Sequence, residues 1–262
     1  MSMNFHCERS IVFVKTIIRY VIVTMTLFVF VGCGKIQKYT SSVIGEMKFI
    51  CSEKNTIRYE NVKGKHSSIT FGVYFSQKMI SRAQFFAVMG YDPSDETISP
   101  EKDNAVQNIT WCETILFCNK LSISEGLTPV YSLAETTDPS VWLSPPTDED
   151  RFNQTRWNAI HVNWDANGYR LPTESELLLL SNRNNPLFMW AWDFYDALPS
   201  GFYINYKGPK GYHRVGTQFN RTDGDYPIHR FFFNIFEKRN NLGFFVVRNV
   251  PVSQLLYHEL FR

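Results

Sequence analysis

Cysteine and histidine are the side chains of this 262-residue chain that could hold a transition metal or act as nucleophiles. Cys112 and Cys118 lie six residues apart on a predicted helix. At about 3.6 residues per turn their side chains point roughly 240° from one another, so they cannot chelate one ion. No Cys-x-x-Cys, His-Glu-x-x-His or His-x-x-x-His spacing occurs, and the histidines are scattered. We therefore predict that Cys51, Cys112 and Cys118 are buried structural thiols.

A polar stretch near the C-terminus, GTQFNRTDGDYP at residues 216–227, is the second candidate for a functional segment. Asn, Asp, Gly and Pro favour turns, so composition alone predicts a solvated turn. The surrounding region, residues 203–241, mixes aromatic with small polar residues, as adaptable recognition surfaces do. The alternative for each residue is that it packs or faces water. We predict ligand contacts from Tyr203, Tyr206, Tyr212, His213, Asn220, Arg221, Asp223, Asp225, Tyr226 and His229.

The three helices predicted to position these residues begin with the same capping pattern. Each of three predicted helices has a hydroxyl at its N-cap and a Glu or Gln three residues later, as in a capping box: Ser81 with Gln84, Thr110 with Glu113, and Thr173 with Glu176. The first helix should end at Gly90, the second should carry its apolar residues along one side, and the third, with LLLL at 177–180, should be buried.

Only short β-type runs separate these helices, such as ITFGVYF at 69–75 and LGFFVVRN at 242–249. The pattern predicts an α+β, loop-rich domain with short antiparallel strands and a few helices at residues 69–250. A divergent N-terminal segment at 33–68 precedes it, and a tail at 251–262 follows it.

Residues 1–32 have the composition of a bacterial signal peptide. Positive residues precede the apolar run YVIVTMTLFVFVG, which ends in Gly32 directly before Cys33. The sequence FVGC resembles a lipobox, in which Cys33 becomes the acylated first residue. The alternative is an uncleaved signal anchor, although the run is short for a span of about 20 residues. We expect a protein held at the membrane through Cys33, in the bacterial cell envelope.

The charge pattern excludes nucleic acid as a partner. The chain has 27 basic and 25 acidic residues, and the excess lies in the predicted signal peptide. From Cys33 onward the two signs balance, so no basic footprint for a phosphate backbone exists.

Five blocks occur in an order typical of a known family: FGVYFSQKMISRAQFFAVMGYDPSD, NAVQNITWCETILFCNKLSISEGLTPVYSL, VNWDANGYRLPTESE, MWAWDFYD and NNLGFFVVRN. They resemble the formylglycine-generating enzyme, or sulfatase-modifying factor, family over roughly residues 69–249. NGYRLPTESE is the most specific block. The resemblance implies a C-type-lectin-like fold and the oxidation of a sulfatase cysteine to formylglycine with O2 and copper.

The resemblance also implies two copper-binding thiolates near Arg221 and Tyr226, but neither residue is cysteine and no cysteine follows Cys118. Copper and catalytic residues are therefore not expected. The histidine cluster of iron-dependent relatives is absent as well. Structural calcium is left open, since its ligands cannot be matched residue by residue.

The block RLPTE has a physical explanation of its own. Pro172 stiffens the approach to the helix, Thr173 caps it, and Glu174 and Glu176 complement the positive end of the helix dipole. Arg170 should pair with a carboxylate or with backbone carbonyls. The block therefore predicts a fold and not a reaction.

Two functional readings follow from the sequence. The favoured one is a lipoprotein whose domain binds an unknown protein or glycan through its C-terminal loops. The alternative is an oxidase of the sulfatase-modifying factor type, which lacks its two thiols here. Two further alternatives are another kind of enzyme and a structural envelope protein without a discrete ligand.

Overall fold

A computed structural model describes residues 38–50, 56–61, 64–69, 72–142, 145, 155–157, 159–173, 176–177, 188–192, 201–204, 215–219, 228–232 and 234–250. Only the backbone is described at residues 38, 56–61, 64–69, 188, 201–204, 215–219 and 228–232. All of these residues belong to one compact unit, Lys38–Pro251. The predicted signal peptide, Cys33 and the tail at 251–262 lie outside them, so the predicted domain boundaries stay predictions.

Short strands make up most of the regular structure. They are, in chain order, β1 (Lys38–Ser41), β2 (Gly45–Ile50), β3 (Thr56–Asn61), β4 (Gly64–Ile69), β5 (Val73–Ser76), β6 (Tyr131–Ser132), β7 (His161–Val162), β8 (Tyr169–Arg170), β9 (Phe188–Trp190), β10 (Gly201–Ile204), β11 (Val215–Phe219), β12 (Ile228–Phe232), β13 (Leu242–Phe244) and β14 (Val247–Asn249). Two α-helices are described, α1 (Arg82–Met89) and α2 (Trp111–Ser124), together with a 3-10 helix at Pro139–Val141.

The strands form several small sheets. The largest has the order β1-β2-β5-β14-β8, with antiparallel pairing throughout. A second has the order β12-β11-β9-β13, a third β10-β4-β3, and β6 pairs with β7. The mixed α/β architecture predicted from the sequence is confirmed at this level. It departs from a wholly antiparallel arrangement because β10 pairs with β4, and β13 with β9, in parallel.

The three predicted capping boxes are present, and the first two begin described helices. Ser81 Oγ accepts a hydrogen bond from Gln84 N at 3.2 Å, and Gln84 Oε1 accepts one from Ser81 N at 2.9 Å. Helix α1 ends at Gly90, whose φ of 83° lies in the left-handed region. Thr110 and Glu113 form the same reciprocal pair before α2, at 3.1 and 2.6 Å. Thr173 and Glu176 form it a third time, at 2.8 and 3.3 Å.

Helix α2 is buried around most of its circumference, which corrects the expectation of a single apolar side. Leu121 is buried, but so are the polar side chains of Thr114, Asn119 and Ser122. They tolerate burial because each donates to a backbone carbonyl. The helix therefore lies in the middle of the core.

Aromatic side chains join α2 to its neighbours. Phe117 stacks on Phe85 of α1 with ring centroids 5.8 Å apart and meets Phe244 of β13 edge-on at 5.2 Å. Trp190 Nε1 donates to Ile109 O at 3.1 Å, which ties β9 to the residues before α2. No helix within the described residues is both long and apolar enough to span a bilayer.

Candidate functional site

Cys112 and Cys118 are fully buried, as predicted, while Cys51 lies outside the described residues. Burial raises the pKa of the Cys118 thiol. A thiol of raised pKa without access to solvent is a poor nucleophile. These two cysteines therefore serve packing.

The residues of NGYRLPTESE that are described serve folding. Gly168 lies so close to α2 that an added Cβ would meet Ser122 Oγ at 2.6 Å and also approach the carbonyl oxygen of Thr128. Asn167 Oδ1 accepts from Thr128 N at 2.8 Å, and Ser122 Oγ accepts from Tyr169 N at 2.8 Å. The segment is thus bonded to α2 on one side of Gly168 and to the loop after α2 on the other side, and the glycine permits the close approach.

Arg170 and Glu176 form a buried ion pair, the carboxylate partner predicted for Arg170. The distances are 2.6 Å from Nη1 to Oε2 and 2.7 Å from Nη2 to Oε1. Arg170 also donates to Leu171 O and to Asn249 Oδ1, and Glu176 Oε2 accepts from Thr173 N. Glu176 is therefore engaged in structure and cannot act as a catalytic acid or base, whereas Glu174 lies outside the described residues.

Glu125 accepts hydrogen bonds from residues in and directly after β1 and from Tyr169 of β8. Its carboxylate accepts from Ser41 Oγ at 2.6 Å, from Ser42 N and Oγ at 2.8 Å each, from Tyr39 OH at 3.0 Å and from Tyr169 OH at 2.5 Å. We call Glu125 with these four partners the N-terminal clamp. Burial alone would raise the pKa of Glu125, but these hydrogen bonds outweigh it and lower the pKa.

None of the ten predicted ligand contacts has a described side chain. Tyr203 lies in β10 and His229 in β12, and their backbones belong to different sheets. The other eight contacts lie outside the described residues: Tyr206, Tyr212, His213, Asn220, Arg221, Asp223, Asp225 and Tyr226. All ten stay predictions.

The stretch GTQFNRTDGDYP is not a turn throughout, because residues 216–219 belong to β11. Residues 220–227, between β11 and β12, lie outside the described residues. Phe219 pairs with Ile228, and the register of β11 on β9 and of β9 on β13 puts Leu242 at this same end of the sheet. Phe219, Ile228 and the start of β13 therefore lie at the same end of this sheet.

An open cleft of about 520 Å³ lies at residues 237–241, directly before β13. We call it the polar cleft; its lining is Asp95, Asn108, Glu237, Lys238, Arg239, Asn240 and Asn241. Asn108 N donates to Arg239 O at 2.9 Å, which joins the two loops. Asn108 has a φ of 59°, a left-handed conformation that asparagine tolerates better than most residues.

The charged groups of the polar cleft are already engaged. Arg239 contacts Glu237 Oε1 at 2.5 Å through Nη2, and Lys238 Nζ lies 3.4 Å from Glu113 Oε1. Asp95 Oδ1 accepts from Thr97 Oγ1 at 2.6 Å and from Thr97 N at 2.9 Å, and these hydrogen bonds lower the pKa of Asp95. With two acidic and two basic side chains, the lining carries no net charge.

The asparagines of the polar cleft differ from those of the core. Asn119 and Asn249 use their side-chain amides to bond the backbone of the protein. Within the described part of the chain, the side chains of Asn108, Asn240 and Asn241 make no such bond. Each offers one acceptor and two donors to a ligand or to water.

Two exposed apolar side chains lie on the loop beside the polar cleft. Tyr91 is 39% and Ile98 49% exposed. Tyr91 OH donates at 2.6 Å to the same Glu113 Oε1 that Lys238 approaches, and Ile98 N donates to Asp95 O at 3.2 Å. Both residues therefore belong to the loop that supplies Asp95 to the cleft.

Sequence reasoning missed this cleft. The prediction stopped at His229, although EKRNN at 237–241 is a run of five polar residues directly before a buried strand. Asp95 and Asn108 are distant in sequence and carry no signal of their own. Among the residues that the structure describes, no group of three or more His, Cys, Asp or Glu is placed to hold a metal. Structural calcium therefore stays an untested prediction.

Comparison with known proteins gives two informative similarities. No protein-family model matches the chain. A curated protein, "Chaperone protein LppX" of Paenibacillus barcinonensis, is 34% identical over 133 residues. The match covers 45% of this chain and 44% of that protein, so the chain spans less than half of its relative's length.

Among solved structures, Treponema denticola variable protein 1 is similar with a TM-score of 0.62 and 21% identity, covering 81% of this chain and 98% of that one. CarF is similar with a TM-score of 0.48 and 16% identity, covering 70% and 88%. The first similarity shows a shared fold, and the second is too weak for an argument.

The predicted membership of the formylglycine-generating enzyme family is wrong, and the C-type-lectin-like fold and the oxidase activity that it implies are not supported. No family model supports it, and the curated relative carries the name of a chaperone. The physical reason lies in the block NGYRLPTESE, whose described residues form a capping box, bury an ion pair and allow a close approach. Such devices fix packing and carry no information on chemistry. The chain has the fold of Treponema denticola variable protein 1, and 133 of its residues align with chaperone protein LppX at 34% identity.

Proposed function

We propose that this protein is a lipid-anchored protein of the bacterial cell envelope that binds a protein or glycan ligand in the polar cleft. The observation that carries the proposal is a set of asparagine side-chain amides that have no hydrogen-bond partner among the described residues and line an open cleft of about 520 Å³. Clefts of roughly 300–1,000 Å³ are the size in which proteins hold ligands. The chaperone name of the curated relative supports a role in binding a partner.

The arrangement favours binding over catalysis. The charged side chains of the cleft are held in pairs or in local hydrogen bonds, so none of them is poised to transfer a proton. The described cysteines are buried, and the Arg170–Glu176 pair is structural. A lining of unpaired amides suits recognition because every unmet hydrogen bond is available to a ligand.

Anchoring at Cys33 is the second part of the proposal. It is supported by FVGC directly after an apolar run and a basic start. We expect cells fed radiolabelled palmitate to label the wild-type protein and not the Cys33→Ala variant. Equal labelling of the two proteins would contradict lipidation at Cys33.

The binding proposal is tested with the full chain in detergent micelles. We expect the wild-type protein to retain a component of the solubilised envelope fraction. The double variant Asn240→Ala with Asn241→Ala should retain at least ten-fold less of that component. Asn234→Ala is the matched control, since Asn234 is an exposed asparagine of the same loop that does not line the cleft. Equal loss in control and cleft variants, or no loss in either, would contradict this site.

The same assay tests the contacts predicted from sequence. Tyr212→Ala with Asp225→Ala should weaken retention if the C-terminal loops contribute. Treating the envelope fraction with protease or with periodate beforehand tells a protein ligand from a glycan.

A further inference from the structure

We infer that the polar cleft recognises the main-chain amide groups of an extended polypeptide segment. This inference rests on the proposed binding function and names its ligand class. Three observations carry it: the chemistry of the asparagine side chains, the balance of charge, and the apolar side chains beside the cleft.

The side-chain amide of asparagine has the same hydrogen-bonding groups as a peptide bond. It offers a carbonyl oxygen and N–H donors in one plane, so it can accept from and donate to a peptide group at once. Asn240 and Asn241 are adjacent in sequence, and Asn108 lies on the loop that Arg239 O fastens to theirs. Three such groups face an open cleft without partners among the described residues.

The charge of the cleft favours an uncharged ligand. Glu237 with Arg239, and Lys238 with Glu113, neutralise one another at 2.5 and 3.4 Å. A phosphate or carboxylate ligand would have to compete with Glu237 for Arg239 and would face the carboxylate of Asp95. A main-chain peptide group carries no charge and avoids both costs.

Tyr91 and Ile98 distinguish a polypeptide from a sugar. Both are large apolar side chains, exposed at 39% and 49%, on the loop that supplies Asp95. In an extended polypeptide alternate side chains point to opposite faces, so one set can lie on Tyr91 and Ile98 while the amides meet the asparagines. The branched aliphatic Ile98 offers nothing to the hydroxyls of a glycan.

Binding of this kind contacts main-chain groups, so its affinity depends little on the side chains of the bound polypeptide. It is the recognition that a protein with many clients requires, because the peptide group is common to all polypeptides. The chaperone name of the curated relative agrees with this class of ligand.

The test uses the full chain in detergent micelles and two fluorescein-labelled ten-residue peptides. One consists of Ala, Val, Ser and Thr, and the other has the same sequence with alternate main-chain nitrogens methylated. We expect the first peptide to bind and the methylated one to bind at least ten-fold more weakly. Asn240→Ala with Asn241→Ala should weaken binding of the first peptide to a similar extent, and Asn234→Ala should not.

Chitohexaose serves as the competing class of ligand. Equal binding of the two peptides, no binding of the unmethylated peptide, or binding of chitohexaose in its place would each overturn main-chain recognition. Those results would leave the proposed function intact if cleft variants still lose the envelope component. If cleft variants retain that component fully, the proposed function itself fails.

Discussion

Arg170 and Glu176 illustrate how single residues hold this fold. Both side chains are about 95% buried, and each also bonds backbone groups or another side chain. Desolvating two charges is expensive, so the pair is tolerated because every partner is present. Removing one member leaves the other as an uncompensated buried charge.

We expect Glu176→Ala to lower the free energy of unfolding by about 3–5 kcal/mol, because Arg170 then lacks its carboxylate. Urea denaturation followed by tryptophan fluorescence measures the change. Lys102→Ala is the control: Lys102 also pairs with carboxylates but is 65% exposed, so it should cost at most about 1 kcal/mol. Similar losses in the two variants would contradict a special role for the buried pair.

At the scale of elements, the N-terminal clamp explains why β1 stays on the sheet. β1 pairs only with β2 among the described strands, and the clamp adds bonds from Tyr39, Ser41 and Ser42 to Glu125. Arg248 of β14 also lies over the ring of Tyr39 at 4.1 Å. An edge strand is thereby tied to the end of α2.

The clamp makes stability depend on pH. The folded state lowers the pKa of Glu125 below its ordinary value of 4.5, so its contribution is present above that value and is lost as pH falls through the folded pKa. Asp92, with a pKa lowered to about 2, acts in the same direction. We expect the fall in Tm between about pH 6 and about pH 3, a range that spans the ordinary pKa of a glutamate side chain, to be smaller for Glu125→Gln than for wild type.

The absolute Tm of Glu125→Gln should be lower at pH 6, because a carboxamide cannot accept all the bonds of the clamp. Glu101→Gln, at an exposed position, is the control. Parallel pH curves for wild type and Glu125→Gln would rule out the clamp as a source of pH dependence.

The close contact between α2 and the start of β8 is possible because Gly168 has no side chain. We expect Gly168→Ala to cost about 1–3 kcal/mol, because the new methyl would meet Ser122 Oγ at 2.6 Å and the Thr128 carbonyl. Thermal unfolding measures the loss. Ser124→Ala, on the exposed side of the same helix, should change stability by no more than about 0.5 kcal/mol, and a Gly168→Ala variant as stable as that control would contradict the close approach.

On the scale of the whole molecule, what could be predicted from sequence was local. The three capping boxes span four residues each, so spacing alone predicts them. The clamp joins Ser41 to Glu125, and the polar cleft joins Asp95 to Asn241. Neither has a period or spacing, because the fold brings together residues that are remote in the chain.

The family resemblance failed for a related reason. NGYRLPTESE predicts its own capping box and ion pair correctly, and those features recur wherever the same packing problem is solved. The block therefore determines how part of the chain folds and carries no information on what the protein does.

The position of β14 has a consequence for when this protein can fold. In the sheet β1-β2-β5-β14-β8, the strand nearest the C-terminus pairs with β5 on one side and β8 on the other. During synthesis the first three of these strands emerge long before the residues that must complete their sheet, and such non-local pairing is slow to form. The sheet thus stays incomplete until β14 has been synthesised, although β1, β2 and β5 are made much earlier.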